Sequence, residues 1–175
     1  MKNTTKQTVF SGLFLALALL MPFVTGQFPS LGSQLLPMHL PVLLCGFICG
    51  WRSGLLVGFV SPLLRSILFG MPPMYPVAIA MAFELASYGF LAGFLYEKFS
   101  NKAWKTIATL IIAMIGGRIV WGISMSVLLM MTSNMFTMKM FIAGAWINAI
   151  PGIILQLILI PTLLMSLKRV LIYEK

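Results

Sequence analysis

Long apolar runs, interrupted by charges or by Pro and Gly, occupy most of the chain. A helix needs about 20 apolar residues to cross the hydrocarbon core of a bilayer. On this criterion the pattern predicts spans at residues 7–25, 37–51, 53–69, 77–96, 106–132 and 141–166. The second span is short and lies close to the third, so a count of five spans is the alternative.

The composition excludes a water-soluble fold. Hydrophobic residues make up 60% of the chain and charged residues 9%, against about 45–50% and 25% in soluble domains. Six spans would use about 120 residues and would leave only short loops and tails in a chain of 175. We therefore predict an all-α integral membrane protein with about six transmembrane helices, in a single transmembrane domain over residues 1–175.

Positive charge is concentrated on one side of this arrangement. With the N-terminus in the cytoplasm, nine Lys and Arg residues near span ends lie inside, against Lys139 alone outside. The nine are Lys2, Lys6, Arg52, Lys98, Lys102, Lys105, Lys168, Arg169 and Lys175. The positive-inside rule then predicts that both termini are cytoplasmic. The net charge of +9 is spread over short loops, which indicates anionic lipid as a partner and not nucleic acid.

Three charged residues fall inside predicted spans: Arg65, Glu84 and Arg118. Each costs about 2.5–3.5 kcal/mol on insertion scales, so each needs a function or a partner. At a rise of about 1.5 Å per residue, Arg65, Glu84 and Asn148 lie in the outer half of the membrane, and Arg118 lies nearer the middle. This placement predicts a pocket that is open to the outside.

Helical neighbours add to the pocket. Tyr88 follows Glu84 by four residues, and Trp121 follows Arg118 by three. Asn148, Gly152 and Gln156 form one stripe at intervals of four. Apolar walls with a few convergent polar groups are typical of small-molecule sites. His39, between Pro37 and Pro41, either reaches this pocket or caps the membrane interface.

Two arginines and one glutamate leave a formal surplus of one positive charge. A ligand that balances it would carry a carboxylate or another electron-rich acceptor, which an Arg side chain binds through two hydrogen bonds. The alternative is that Glu84 and one arginine form a buried pair that only fastens the helices together.

Two other groups of residues suggest different chemistry. Cys45 and Cys49 share a helix face and could form a redox pair, although small packing residues explain them better. A group of five methionines could bind a soft metal; they are Met130, Met131, Met135, Met138 and Met140. No Cys or His accompanies them, and adaptable packing explains them better.

Some motifs are absent from the sequence. It contains no G-x-x-x-x-G-K-[ST], no H-E-x-x-H and no G-x-S-x-G. The chain is therefore predicted not to hydrolyse ATP and not to be an enzyme, and no cofactor or metal is predicted. In the first span, Gly12 and Ala16 form a small-residue face that lets another helix approach closely, either within the chain or from a partner.

Four stretches carry a resemblance to a known family: SGLFLALALL, LPMHLPVLLCGFICG, GLLVGFVSPLLRSILFGMPP and MYPVAIAMAFELASYGFLAG. With them, nearly the whole chain resembles the S components, or substrate-binding subunits, of energy-coupling factor (ECF) transporters. The resemblance implies a multi-pass protein of the bacterial plasma membrane that binds a vitamin or vitamin precursor outside. It also implies docking through Gly12 and Ala16 on a transmembrane coupling subunit that two cytosolic ATPases drive. Gly12 departs from the family's usual Ala-x-x-x-Ala but keeps the face small.

The sequence thus predicts a non-enzymatic, high-affinity uptake subunit for a small water-soluble vitamin. The candidates are pantothenate, pyridoxine-type, pyrimidine and queuosine-precursor molecules. The predicted substrate-binding residues are His39, Arg65, Glu84, Tyr88, Arg118, Trp121 and Asn148. The alternatives are a soft-metal permease and an intramembrane enzyme, the latter with Glu84 and His39 as acid and base or with the two cysteines as a redox pair.

Overall fold

The computed structural model describes residues 4–25, 35–99, 104–132 and 137–173, and every regular element in these ranges is helical. The helices are α1 Thr4–Thr25, α2 His39–Cys49, α3 Trp51–Phe69, α4 Ile79–Lys98, α5 Lys105–Met130, α6 Met138–Ala145 and α7 Ile150–Tyr173. An irregular helical turn, Met74–Ala78, precedes α4, and a 3-10 turn, Ile147–Ala149, joins α6 to α7.

Five segments in the described ranges are long and apolar enough to cross a membrane. They are Thr5–Thr25, Trp51–Phe69, Met74–Lys98, Lys105–Met130 and Met138–Ser166, and His39–Cys49 is a shorter apolar helix. The chain is therefore an all-α membrane protein of about six helices, as the hydrophobic pattern predicts.

Helix α2 is the short member of the bundle. Its 11 residues give a length of about 16 Å, roughly half the thickness of the hydrocarbon core. It ends at Gly50, which has a φ of 89°. Glycine adopts this backbone conformation readily, whereas other residues are strained in it. This turn leads directly into α3. Because α2 ends at this turn and is only half as long as the hydrocarbon core is thick, its first residue, His39, lies deep in the bundle and is buried.

Helix α4 lies at the centre and packs against α2, α3 and α5. Glycines let α3 and α4 approach until their backbones touch. A Cβ atom added at Gly54 would meet the backbone of Gly89, and one added at Gly58 would meet the carbonyl of Leu85. We call Gly54, Gly58 and Gly89 the glycine seam, and small residues of this kind are typical of tight helix packing in membranes.

The bundle has two ends, which we name by residues. The Arg52 end contains the α2–α3 turn, the start of α1 and α5 and the end of α4. The Pro72 end contains the ends of α1, α3 and α5 and the start of α4, and there the Tyr75 hydroxyl donates a hydrogen bond to the Leu128 carbonyl.

The last predicted span, 141–166, is not one continuous helix. It is interrupted between α6 and α7 by the turn Ile147–Ala149. Pro151 explains the interruption, because it has no N–H to donate to the carbonyl four residues earlier and its ring disfavours helix there. In the first turn of α7, where N–H groups lack helical partners in any case, Pro151 is well tolerated.

Candidate functional site

A cluster of buried polar side chains lies where α2, α4 and α5 meet. Nη1 of Arg118 lies 2.9 Å from Oε1 of Glu84, and Nε2 of His39 lies 3.3 Å from the same oxygen. His39 and Glu84 are each 2% exposed and Arg118 is 3% exposed. We call His39, Glu84, Tyr88 and Arg118 the Glu84 cluster.

The helices explain why these side chains meet. Because α2 is short, its first residue, His39, reaches the depth of Glu84 and not the membrane surface. Tyr88 lies one turn after Glu84 on α4 and contacts the His39 ring edge-on, with ring centres 5.0 Å apart. The Tyr88 ring also rests on Gly117 of α5, where a Cβ atom would collide with it.

The cluster contains buried nitrogens without hydrogen-bond partners in the described ranges. Within the described ranges, Nε and Nη2 of Arg118 and Nδ1 of His39 have no hydrogen-bond partner. The Tyr88 hydroxyl faces the Arg118 guanidinium without completing either missing bond. On α7, Nε2 of the buried Gln156 is also without a partner in those ranges. More than about nine in ten buried polar groups in proteins are paired, so these unpartnered nitrogens need an explanation.

Arg65 lies apart from the cluster, although it was predicted to be a substrate-binding residue together with Glu84 and Arg118. Its guanidinium donates to the carbonyl of Leu19 on α1. It also lies over the rings of Phe23 and Phe69, 4.6 Å and 5.5 Å from their centres. Arg65 therefore fastens α1 to α3 and does not contribute charge to the Glu84 cluster.

Asn148 is also placed differently from the prediction. It lies in the 3-10 turn before α7 and is exposed. The predicted stripe of Asn148, Gly152 and Gln156 assumes a continuous helix, which Pro151 prevents. Gly152 and Gln156 remain on α7, and both are buried.

Trp121 lies between α5 and α6 and is partly buried. Its ring stacks on that of Phe141, with centres 6.4 Å apart and planes at 25°. It also packs on Gly144, where a Cβ atom would meet the indole. Trp121 thus holds α6 against α5 beside the Glu84 cluster.

An open cavity of about 460 Å³ lies between α5 and α6, within the size range of small-molecule sites. Its lining is Ile119, Gly122, Ile123, Ser126, Val127, Thr137, Met138 and Phe141. Gly122 and Ser126 follow Arg118 at intervals of four, so this wall lies on the same face of α5. These residues were not predicted from the sequence, although their spacing from Arg118 could have indicated Gly122 and Ser126.

A second cavity of about 480 Å³ lies at the Arg52 end. Its lining includes Gln7, Gly50, Glu97 and Lys105. It therefore lies at the end of the bundle opposite to the Pro72 end.

The structure also places the cysteines of the proposed redox pair and the methionines of the proposed soft-metal site. Cys45 and Cys49 are free and buried on α2, where they contact each other and Ser11 of α1. Met135 lies outside the described residues. Met130, Met131, Met138 and Met140 are exposed.

The face of α1 with Gly12 and Ala16 points away from the bundle. Both residues are exposed, and a Cβ atom on Gly12 would meet no described residue within 4 Å. Val9, Leu13 and Leu20 extend this face and are also exposed. Of the two uses predicted for the small-residue face, packing within the described part of the chain is therefore not observed.

Comparison with known protein families gives a match over most of the chain. A family model described as the substrate-specific component of ECF transporters matches residues 6–164, nearly the whole chain. No curated protein and no solved structure gives a significant match.

Proposed function

The chain belongs to the family of ECF transporter substrate-specific components, and from this premise we propose that it binds a small water-soluble vitamin or vitamin precursor at the Glu84 cluster. Partner subunits then energise the uptake of this molecule. The observation that carries the proposal is the pair of unpartnered donors on Arg118 and the unpartnered Nδ1 of His39, deep in an apolar bundle.

If Glu84 and Arg118 only fastened the helices together, we would expect fewer buried polar atoms without hydrogen-bond partners. Leaving a buried donor without an acceptor costs about 1–3 kcal/mol, and more for a charged group. Within the described ranges, Arg118 has two such donors, and Nδ1 of His39 is an acceptor without a donor. A ligand with acceptor atoms would remove these penalties on binding, and the penalties would return on release.

The exposed face of α1 supports docking on a membrane partner. Gly12 and Ala16 leave a shallow groove between exposed apolar side chains such as Leu13 and Leu20. Helices in lipid associate through small residues that allow close backbone contact. We assign this face to the transmembrane coupling subunit, which two cytosolic ATPases drive.

The distribution of charge supports an orientation with the Arg52 end in the cytoplasm of a bacterial cell. Lys6, Arg52, Lys98 and Lys105 lie at or near that end, and Lys139 lies at the start of α6. Basic residues close to span ends favour the cytoplasmic side and its anionic lipid. The Pro72 end then faces the substrate outside.

Binding is tested with the full chain purified in detergent and titrated with a panel of vitamins, including the pantothenate, pyridoxine, pyrimidine and queuosine-precursor classes. We expect one class to bind with nanomolar to micromolar affinity. At 100 times its Kd the ligand should add about 2.7 kcal/mol to the stability, seen as a rise in Tm. No binding by any member of the panel, and no small molecule retained through purification, would contradict the proposal.

One contact favours a second candidate. His39 and Glu84 are close enough for proton transfer, which an intramembrane enzyme would use. The family is a transporter family and not an enzyme family. Recovery of the ligand chemically unchanged after prolonged incubation supports the transporter, and a turnover product supports the enzyme.

A further inference from the structure

The Arg118 guanidinium uses only one of its edges within the described residues. Nη1 donates to Glu84, 2.9 Å away, while Nε and Nη2 are buried without partners there. Nε–H and one Nη2–H point in parallel from the same side of the planar group. This edge therefore matches a partner with two adjacent acceptors in one plane.

The charge of the cluster decides which partner fits. Glu84 and Arg118 cancel, and Arg65, the other arginine inside a span, is engaged with the Leu19 carbonyl elsewhere. With a neutral His39 ring, the positive surplus expected from the sequence is therefore absent at this site. A carboxylate on the free edge would leave an uncompensated negative charge in the bundle, and desolvating such an ion costs several kcal/mol.

A neutral group avoids that cost. A carbonyl oxygen beside an unprotonated ring nitrogen offers two coplanar acceptors with no net charge, and arginine binds such a pair on guanine through two hydrogen bonds. The Nδ1 of His39 is one more polar atom without a partner nearby. Because Nε2 of His39 donates to the Glu84 carboxylate, Nδ1 of the neutral ring is an acceptor, so it can match a donor of a heterocycle.

We infer that the substrate is a net-neutral heterocycle that binds the Nε–Nη2 edge of Arg118 through two adjacent acceptor atoms. The inference rests on the proposed function, because it assumes that the Glu84 cluster is the substrate site. It separates the candidates: a pyrimidine of the cytosine type has a carbonyl oxygen beside an unprotonated ring nitrogen, whereas pantothenate carries a carboxylate and a queuosine precursor, a 7-deazaguanine, lacks the ring nitrogen that guanine presents beside its carbonyl.

The first test identifies the small molecule that the wild-type chain retains or binds from the vitamin panel. Mass spectrometry gives its composition, and electrophoresis at neutral pH gives its net charge. We expect a neutral heterocycle. A ligand whose carboxylate is required for binding would overturn the inference and leave the proposed function standing, whereas no ligand at all would overturn the proposed function itself.

The second test uses variants and the ligand so identified. Arg118→Lys keeps the charge opposite Glu84 but loses the two-donor edge, and we expect its affinity to fall by about tenfold or more. The matched control is Arg65→Lys, with affinity within about twofold of wild type. Equal affinity of wild type and Arg118→Lys would overturn the inference.

The third test reverses the charge preference. Glu84→Gln removes the negative charge beside Arg118, so the cluster becomes net positive. A carboxylate derivative of the ligand should then gain affinity relative to the neutral ligand by about tenfold or more. An unchanged ratio would show that the net charge of the cluster does not select the ligand.

Discussion

Glu84 contacts side chains from two other helices, His39 and Arg118, and two nitrogens of Arg118 have no hydrogen-bond partner among the described residues. Two roles are compatible with such a pair: fastening the bundle and binding a ligand. They predict different outcomes when the pair is removed as a unit.

We expect Arg118→Met to lower the free energy of unfolding by about 3–5 kcal/mol, because it leaves Glu84 buried without its charge partner. The double variant Glu84→Met with Arg118→Met should recover most of this loss, since apolar side chains of similar volume replace a buried ion pair well. Thermal unfolding in detergent measures both effects.

Substrate binding should not recover in the double variant, in contrast to its stability. Neither variant should bind the substrate measurably by calorimetry, although the double variant is well folded. A double variant that binds like wild type would show that the pair serves packing alone.

Arg65 gives the opposite prediction. Because it fastens α1 to α3 through the Leu19 carbonyl, Arg65→Met should lower stability by about 1–3 kcal/mol and leave substrate affinity unchanged. Chemical unfolding and calorimetry on the same preparation separate the two. A loss of affinity without a loss of stability would return Arg65 to the site.

The sequence could identify the charged residues inside spans but not their partners. The cost of burying a charge is similar whether its partner is Glu84, a ligand or a main-chain carbonyl. For this reason Glu84 and Arg118 were predicted as members of one site, while the engagement of Arg65 with Leu19 was not. The unused edge of Arg118 depends on the orientation of its guanidinium, which only the structure gives.

At the scale of helices, glycines have two opposite uses in this chain. In the glycine seam they bring α3 and α4 into backbone contact, whereas Gly12 faces open space on α1. The same substitution at the two places should therefore have different consequences.

We expect Gly89→Leu to prevent folding, because the side chain would have to occupy the backbone of Gly54. Gly12→Leu should leave folding and substrate binding unchanged and should block uptake, because it fills the face of α1 that we propose for docking. Size-exclusion chromatography, calorimetry and cellular uptake of radiolabelled ligand report the three properties.

Ala16→Leu extends this comparison by one turn of the same face. It should reproduce the uptake defect of Gly12→Leu. Full uptake by both variants would exclude this face from docking.

Helix boundaries could be predicted where length and apolar pattern agree. Helices α1, α3 and α5 lie close to the spans predicted at 7–25, 53–69 and 106–132. The break before α7 was missed because a hydropathy run continues through Pro151, although the helix cannot. Asn148 was misplaced for the same reason.

At the scale of the whole molecule, hydrophobic pattern was sufficient for the fold class. A bilayer admits few architectures, and long uniform apolar runs leave only helices. The position of each polar group within the bundle is set by packing between helices, such as the contact of Tyr88 with Gly117, and hydropathy carries no information on it.

The proposed orientation can be tested in intact cells. With Cys45 and Cys49 replaced by Ala, a cysteine at Met71 should react with a membrane-impermeant maleimide, because Met71 is exposed at the Pro72 end. A cysteine at Arg52, which is exposed at the other end, should react only after the cells are opened. The reverse pattern would invert the topology.

In the proposed transporter, this chain binds the substrate and the ATPases supply the energy for uptake. The chain has no phosphate-binding loop, and its polar cluster needs no partner to form. Substrate binding to the chain expressed alone should therefore equal binding to the assembled transporter within about threefold, since such a difference is less than 1 kcal/mol. Uptake should require the coupling subunit and active ATPases, and it should disappear when the phosphate-binding lysines of the ATPases are replaced. Uptake that persists in cells lacking the ATPases would show that the chain moves its substrate by itself, and the exposed face of α1 would then need another occupant.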